Sequence, residues 1–192
     1  MIFGTSDLSG RSFTIQGVGN VGKYIVDYLK KENTEIFISD LVYDNIKEVE
    51  DKYPDVNILK PNEVLSHRTD FLVPCAVSGV INPDNIDSLN CKVIAGSAYN
   101  IFTHESLIER VFKQNILYAP VFLIAAGELF LLDKNLKLDL DERETKDTKI
   151  IYKLLLDILQ RAAAKKVPPF EIAKADAMNR YKKIDQIKNI LC

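Results

Sequence analysis

The stretch Ser12-Phe13-Thr14-Ile15-Gln16-Gly17-Val18-Gly19-Asn20-Val21-Gly22 decides the fold. A short β-prone run stops at a glycine, and three glycines follow in the spacing G-x-G-x-x-G. Beyond them, Val21, Ile25, Val26 and Leu29 recur at helical spacing, which predicts a helix from Asn20 to about Lys31. Glu35-Ile36-Phe37-Ile38-Ser39-Asp40 then reads as a second strand ending on a carboxylate. Strand, glycine turn, helix, strand, acid is an ordered pattern, and its order makes it more specific than the glycines alone.

Working outward, the same alternation continues. Asp44 to Tyr53 predicts a charged surface helix, stopped by Pro54. Val56–Leu59, Asp70–Val73 and Lys92–Ala95 read as short strands, the last two closed by Pro74 and Gly96. His104 to Gln114 predicts a helix, and Ile116–Tyr118 a final strand before Pro120. Short apolar strands alternating with helices predict an α/β fold: a Rossmann-like, doubly wound, mostly parallel sheet. After Pro120 the pattern turns helical. Leu123 to Leu132 reads as a buried helix and Asp141 to Lys166 as a long one, with Ile150, Ile151, Leu154, Leu155, Ile158 and Leu159 along one side. Pro168-Pro169 breaks it, and Phe170 to Ile190 carries one or two further amphipathic helices. The expectation is a single domain over residues 1–192, its core at about 8–134 and its C-terminal helices at about 139–192 packed on that core.

Composition agrees with a packed core and excludes several classes. Hydrophobic residues make up 47% of 192, and the formal net charge is -2. The charges are interspersed, so no basic face for nucleic acid is expected. No apolar run is long enough for a membrane span, and the first residues lack the pattern of a signal peptide. Cys75, Cys91 and Cys192 are widely spaced, and with only His67 and His104 they predict no metal cluster. Both histidines read as surface residues, on a loop and at a helix start. A reduced, cytoplasmic setting is the expectation.

The glycine turn has a chemistry. Gly17 permits a tight turn, Gly19 lets the backbone approach a pyrophosphate, and Gly22 lets helix and strand pack closely. The helix N-terminus offers N–H groups and partial positive charge to phosphates. Asp40 follows Gly17 by 23 residues, close to the ~20 expected of a ribose-binding acid. A carboxylate there accepts from both ribose hydroxyls and repels a 2′-phosphate, and Leu41 supplies no cation. The predicted cofactor is therefore NAD rather than NADP. The bland alternative is that the glycines serve only the turn and Asp40 only a loop.

Several separated motifs in order resemble the glutamate/leucine/phenylalanine/valine dehydrogenases, the leucine dehydrogenase branch above all. They are Leu8-Ser9-Gly10-Arg11 leading into Gln16–Gly22, Pro74-Cys75-Ala76, Ile94-Ala95-Gly96-Ser97-Ala98-Tyr99-Asn100 and Tyr118-Ala119-Pro120. Near the end come Val167-Pro168-Pro169 and Ala175-Asp176-Ala177-Met178. The resemblance implies that Gly17, Val18, Gly19, Asn20, Val21 and Gly22 hold the pyrophosphate and Asp40 the adenosine ribose. It implies that Cys75 and Ala76 line the cofactor cleft and that Asn100 meets the nicotinamide ribose region. Their strand-end locations agree with where ligands bind in open α/β sheets. Cys75 as a small packing residue and Asn100 as a turn residue are the alternatives.

The chain departs from the family in two respects. Nothing in these residues matches the family's amino-acid-binding domain, which supplies a catalytic lysine and aspartate; a separately encoded domain is the expected partner. Second, Val121-Phe122-Leu123-Ile124 is followed by Ala125-Ala126-Gly127-Glu128, where the family usually has asparagine, alanine, glycine, glycine. A methyl at Ala125 makes no hydrogen bond to a nicotinamide amide. Three readings follow. The first is the NAD-binding part of an enzyme that oxidatively deaminates an L-amino acid to a 2-oxo acid, inactive by itself. The second is a non-catalytic NAD-binding sensor or accessory protein. The third is another oxidoreductase with Glu128 or Asp133 as acid/base. A homo-oligomer is compatible with each.

Overall fold

A computed structural model of the chain describes residues 2–126 and 140–191, with side chains at 2–126 and 148–183. Contacts divide it into two units, Met1–Leu117 and Tyr118–Cys192.

The first unit is built on a parallel sheet. Its strands are β1 (Ser12–Gln16), β2 (Glu35–Ser39), β3 (Asn57–Ile58), β4 (Phe71–Pro74), β5 (Val93–Ile94) and β6 (Leu117–Tyr118), in spatial order β3-β2-β1-β4-β5-β6. Three helices alternate with them: α1 (Gly22–Leu29), α2 (Tyr43–Lys52) and α3 (Leu107–Lys113). The α/β doubly wound prediction holds, and β1 has the predicted bounds.

Register explains the alternating sequence of β1. Parallel neighbours in register share a face, and successive residues point to opposite faces. Ile15 pairs with Ile38 and Val73, and Phe13 with Ile36 and Phe71. These residues pack on Val26 and Leu29 of α1 and Val49 of α2, forming one core cluster. Ile15 and Ile38 are completely buried, each worth about 1.5–3 kcal/mol of apolar transfer. Thr14, Phe37 and Leu72 line the other face. On that face His67 is no surface histidine. Its ring lies against Phe37 with centroids 4.2 Å apart, and its Nε2 is buried. His104 is exposed, ahead of the first turn of α3.

Helix ends follow local chemistry. After α3 the chain enters the left-handed region at Asn115 (φ 60°), and Ile116 N–H closes back on the Val111 carbonyl at 3.2 Å. This Schellman ending satisfies carbonyls that the helix leaves open.

The second unit is helical: α4 (Val121–Ile124), α5 (Leu140–Lys165) and α6 (Pro169–Leu191). The predicted helix Leu123–Leu132 is corrected at its start, which is Val121. It also stops short at Ile124 with Ala125 as cap, since Ala125 N–H closes on the Val121 carbonyl, and 125–126 form a turn; residues 127–132 lie outside the described residues. After α5 the chain turns left-handed at Lys166 (φ 55°), with Val167 N–H bonded to the Ala162 carbonyl at 3.1 Å. Pro169 then opens α6, where its missing N–H costs nothing. Ile158, Ala162, Ile172 and Ala173 bury the α5–α6 contact, with Leu123 and Val167 beside them. Ile150, expected on the buried side of α5, is 40% exposed.

No described helix is long and apolar enough to cross a membrane.

Candidate functional site

The sheet order reverses direction between β1 and β4. The chain leaves β1 toward β2 on one side, while β4 lies on the other. Loops that diverge in this way open a crevice at the carboxyl ends of the strands. Gly17–Gly22 follows β1 there, and Cys75-Ala76 follows β4.

Each glycine has a distinct physical reason. Gly17 holds φ +91°, and its N–H donates to the Ser39 carbonyl at 2.7 Å. A Cβ on Gly17 would stand 2.7 Å from the Ala76 Cβ, so the two loops touch through a missing side chain. At Gly22 a Cβ would lie 1.9 Å from the Gly17 carbonyl oxygen, which seats the start of α1 directly on the turn. Gly19 is different: the nearest atom to its Cβ position is Asn45 Nδ2 at 3.8 Å, so space above it is open. The N–H groups of Gly19, Asn20 and Val21 donate to no acceptor among the described residues. Open space over a glycine beside free N–H groups is what an anionic group needs for close approach.

Asp40 is tied into the same turn. Its Oδ2 accepts from Val18 N–H at 2.8 Å and from Asn45 Nδ2 at 3.1 Å. Its Oδ1 accepts from Val42 N–H at 2.9 Å. Burial by itself raises the carboxyl's pKa. The backbone N–H groups of Val42 and Val18, then the Asn45 amide and Leu41 N–H, outweigh it and hold the group below the usual aspartate value. Asp40 is therefore an ionised acceptor in the neutral range.

Exposed ion pairs hold α2 alongside α1. Lys23 meets Glu48 at 2.8 Å, and Asp27 meets Lys52 at 2.8 Å. Asp27 also accepts from the Tyr53 hydroxyl at 2.9 Å. Each exposed pair is worth little, and α2 carries Asn45 to 3.8 Å from the Cβ position of Gly19.

The structure thus brings together Gly17, Val18, Gly19, Gly22, Asp40 and Ala76. Asn20 and Val21 are exposed at the turn. Cys75 is half-buried against the core cluster, and its N–H donates to the Gln16 carbonyl at 2.7 Å. That geometry agrees with its packing role. Asn100 is exposed in a left-handed turn (φ 50°), its carbonyl accepting from Gly79 N–H at 2.8 Å. Two close approaches escaped sequence reasoning. A Cβ on Gly96 would lie 2.1 Å from the Pro74 carbonyl oxygen, so the ends of β4 and β5 also pack through a glycine. Asn45 is the other; its only sequence signal is an amide in the first turn after the acid. Glu128 and Asp133 lie outside the described residues. Among the described residues no three metal-ligating side chains gather.

Comparison with known proteins gives the chain's family. The family profile of Glutamate/Leucine/Phenylalanine/Valine dehydrogenase matches residues 37–165. The chain belongs to this family. Phenylalanine dehydrogenase of Thermoactinomyces intermedius is 34% identical over 191 residues, covering 99% of this chain and 52% of that protein. Leucine dehydrogenase of Bacillus cereus is 28% identical over 185 residues, covering 96% of this chain and 47% of the relative. The solved structure of L-tryptophan dehydrogenase from Nostoc punctiforme superposes with a TM-score of 0.86 at 29% identity, over 95% of this chain and 54% of the other. This family member thus spans about half the length of the relatives it matches.

Proposed function

We propose that this chain is the NAD-binding part of an amino-acid dehydrogenase, a member of an oxidoreductase family. The single observation that carries the reading is the joined geometry of turn and acid: free N–H groups around an open Gly19, with Val18 N–H locking Asp40 beside them. The cradle fits a dinucleotide. Gly17 and Gly22 are consumed by packing, whereas a side chain at Gly19 would meet only open space. Gly19 to Gly22 would hold the pyrophosphate, Asp40 the adenosine ribose, and Ala76 the wall of the cleft. The negative charge of Asp40 favours a free 2′-hydroxyl over a 2′-phosphate. When bound, the nicotinamide supplies the hydride acceptor. The chain's own residues bind and orient it, and the proton chemistry belongs to a separate amino-acid-binding domain. Relatives named for phenylalanine, valine and leucine match at comparable identity, which supports an apolar L-amino acid as the substrate class without choosing the leucine branch.

Ala125 supports a second reading. Its methyl stands where the resemblance implies an amide, so a non-catalytic NAD-binding protein accounts for an adenosine site kept intact beside an altered nicotinamide contact.

The test is Gly19→Val, read by calorimetric titration with NAD and by thermal melting. The open surroundings of Gly19 predict a fold that tolerates the side chain and a cradle that no longer admits phosphate. Wild-type affinity in the variant would contradict the proposed site.

A further inference from the structure

Asn45 is the residue whose placement the site does not yet use. It stands in the first turn of α2, half-buried, and its side-chain nitrogen lies between two elements of the cradle. On one side it donates to Asp40 Oδ2 at 3.1 Å; on the other it stands 3.8 Å from the Cβ position of Gly19. A carboxylate offers about four acceptor sites. Three donors hold Asp40 at hydrogen-bond distance, Val18 N–H, Val42 N–H and the Asn45 amide, and Leu41 N–H also favours its charge. A ribose diol brings two more donors, at least one too many. Val18 and Val42 are backbone groups fixed by the turn and by the entry to α2. Only Asn45 sits on a rotatable side chain.

We propose that Asn45 is a positioning residue for the adenosine ribose: it holds Asp40 in place, then yields its lone pair to the ribose and turns its amide N–H onto an oxygen of the bound nucleotide above Gly19. This rests on the reading of Gly17–Gly22 and Asp40 as the dinucleotide site. The handover keeps Asp40 ionised and aimed before binding and avoids leaving a donor unpaired after it. Leaving a buried donor unmatched is the expensive alternative.

The experiment is a double-mutant cycle on the full chain, with NAD titrated by calorimetry into wild type, Asp40→Ala, Asn45→Ala and the double variant. Asn45→Ala should weaken NAD roughly tenfold, and much less when Asp40 is already alanine. The acid limb of NAD binding should move to higher pH in Asn45→Ala, since Asp40 has lost a donor; a purely structural role would not shift it. Asn45→Gln, which keeps the amide, should recover part of the affinity. If Asp40→Ala binds NAD like wild type, the site reading itself fails. If Asp40→Ala weakens binding while Asn45→Ala retains wild-type affinity and pH profile, only the role of Asn45 is overturned. An equal loss with and without Asp40 also overturns it. Should Asn45→Ala fail to fold, the wild-type Asn45 side-chain NH2 resonances decide: a shift on adding NAD supports the handover, and unmoved signals refute it.

Discussion

At the scale of single residues, the three glycines of one motif predict three different outcomes. Gly22→Ala places a methyl 1.9 Å from a backbone carbonyl oxygen, so the start of α1 must move. Overpacking of this kind costs about 1–3 kcal/mol, and a lower denaturant midpoint should report it. Gly19→Val has open space and should spare stability while abolishing nucleotide binding. Gly17→Ala combines a left-handed φ of +91° with the Ala76 contact and should damage both. Asp40 carries a pH signature as well. Its pKa is depressed in the fold, so its contribution to stability is complete above the unfolded value near 3.9. That contribution is lost as pH falls through the folded value. Asp40→Asn should therefore show a shallower loss of thermal stability than wild type between about pH 4 and lower values. Identical acid limbs would mean that the N–H groups around Asp40 do not favour its charge.

Among secondary elements, β1 was legible to the residue because alternation, an abrupt glycine and a following helical period all agree there. The tail was legible in outline only. Pro168-Pro169 marks the break between α5 and α6, but the stripe along α5 does not say which part of it is covered. Ile158 is 4% exposed while Ile150 is 40% exposed, a difference made by α6 and not by the period of α5. Ile158→Ala should cost about 2–5 kcal/mol and Ile150→Ala far less, compared by chemical denaturation. Equal effects would place the α5–α6 core elsewhere. Single polar residues were the least legible. The ring of His67 meets Phe37 across 30 positions of sequence, and Asn45 meets Asp40 through a helix whose composition reads only as a charged surface. Periodicity carries no information about such contacts, because they depend on how elements are brought together.

The chain as a whole is a family member about half the length of its matched relatives, and its clearest chemistry gathers at one end of one sheet. The proposed division of labour has a direct consequence. These 192 residues, assayed with NAD and apolar L-amino acids, should bind the nucleotide without reducing it, as followed by absorbance. Steady NADH formation by the purified chain would show that it carries its own catalytic groups. NAD against NADP in one calorimetric series tests the cradle most directly. If Asp40 receives the adenosine ribose, NAD binds and NADP binds at least tenfold more weakly, a difference of about 1.4 kcal/mol or more, and Asp40→Ala erases the preference. No binding of NAD, or NADP binding as tightly as NAD to the wild-type chain, would contradict it.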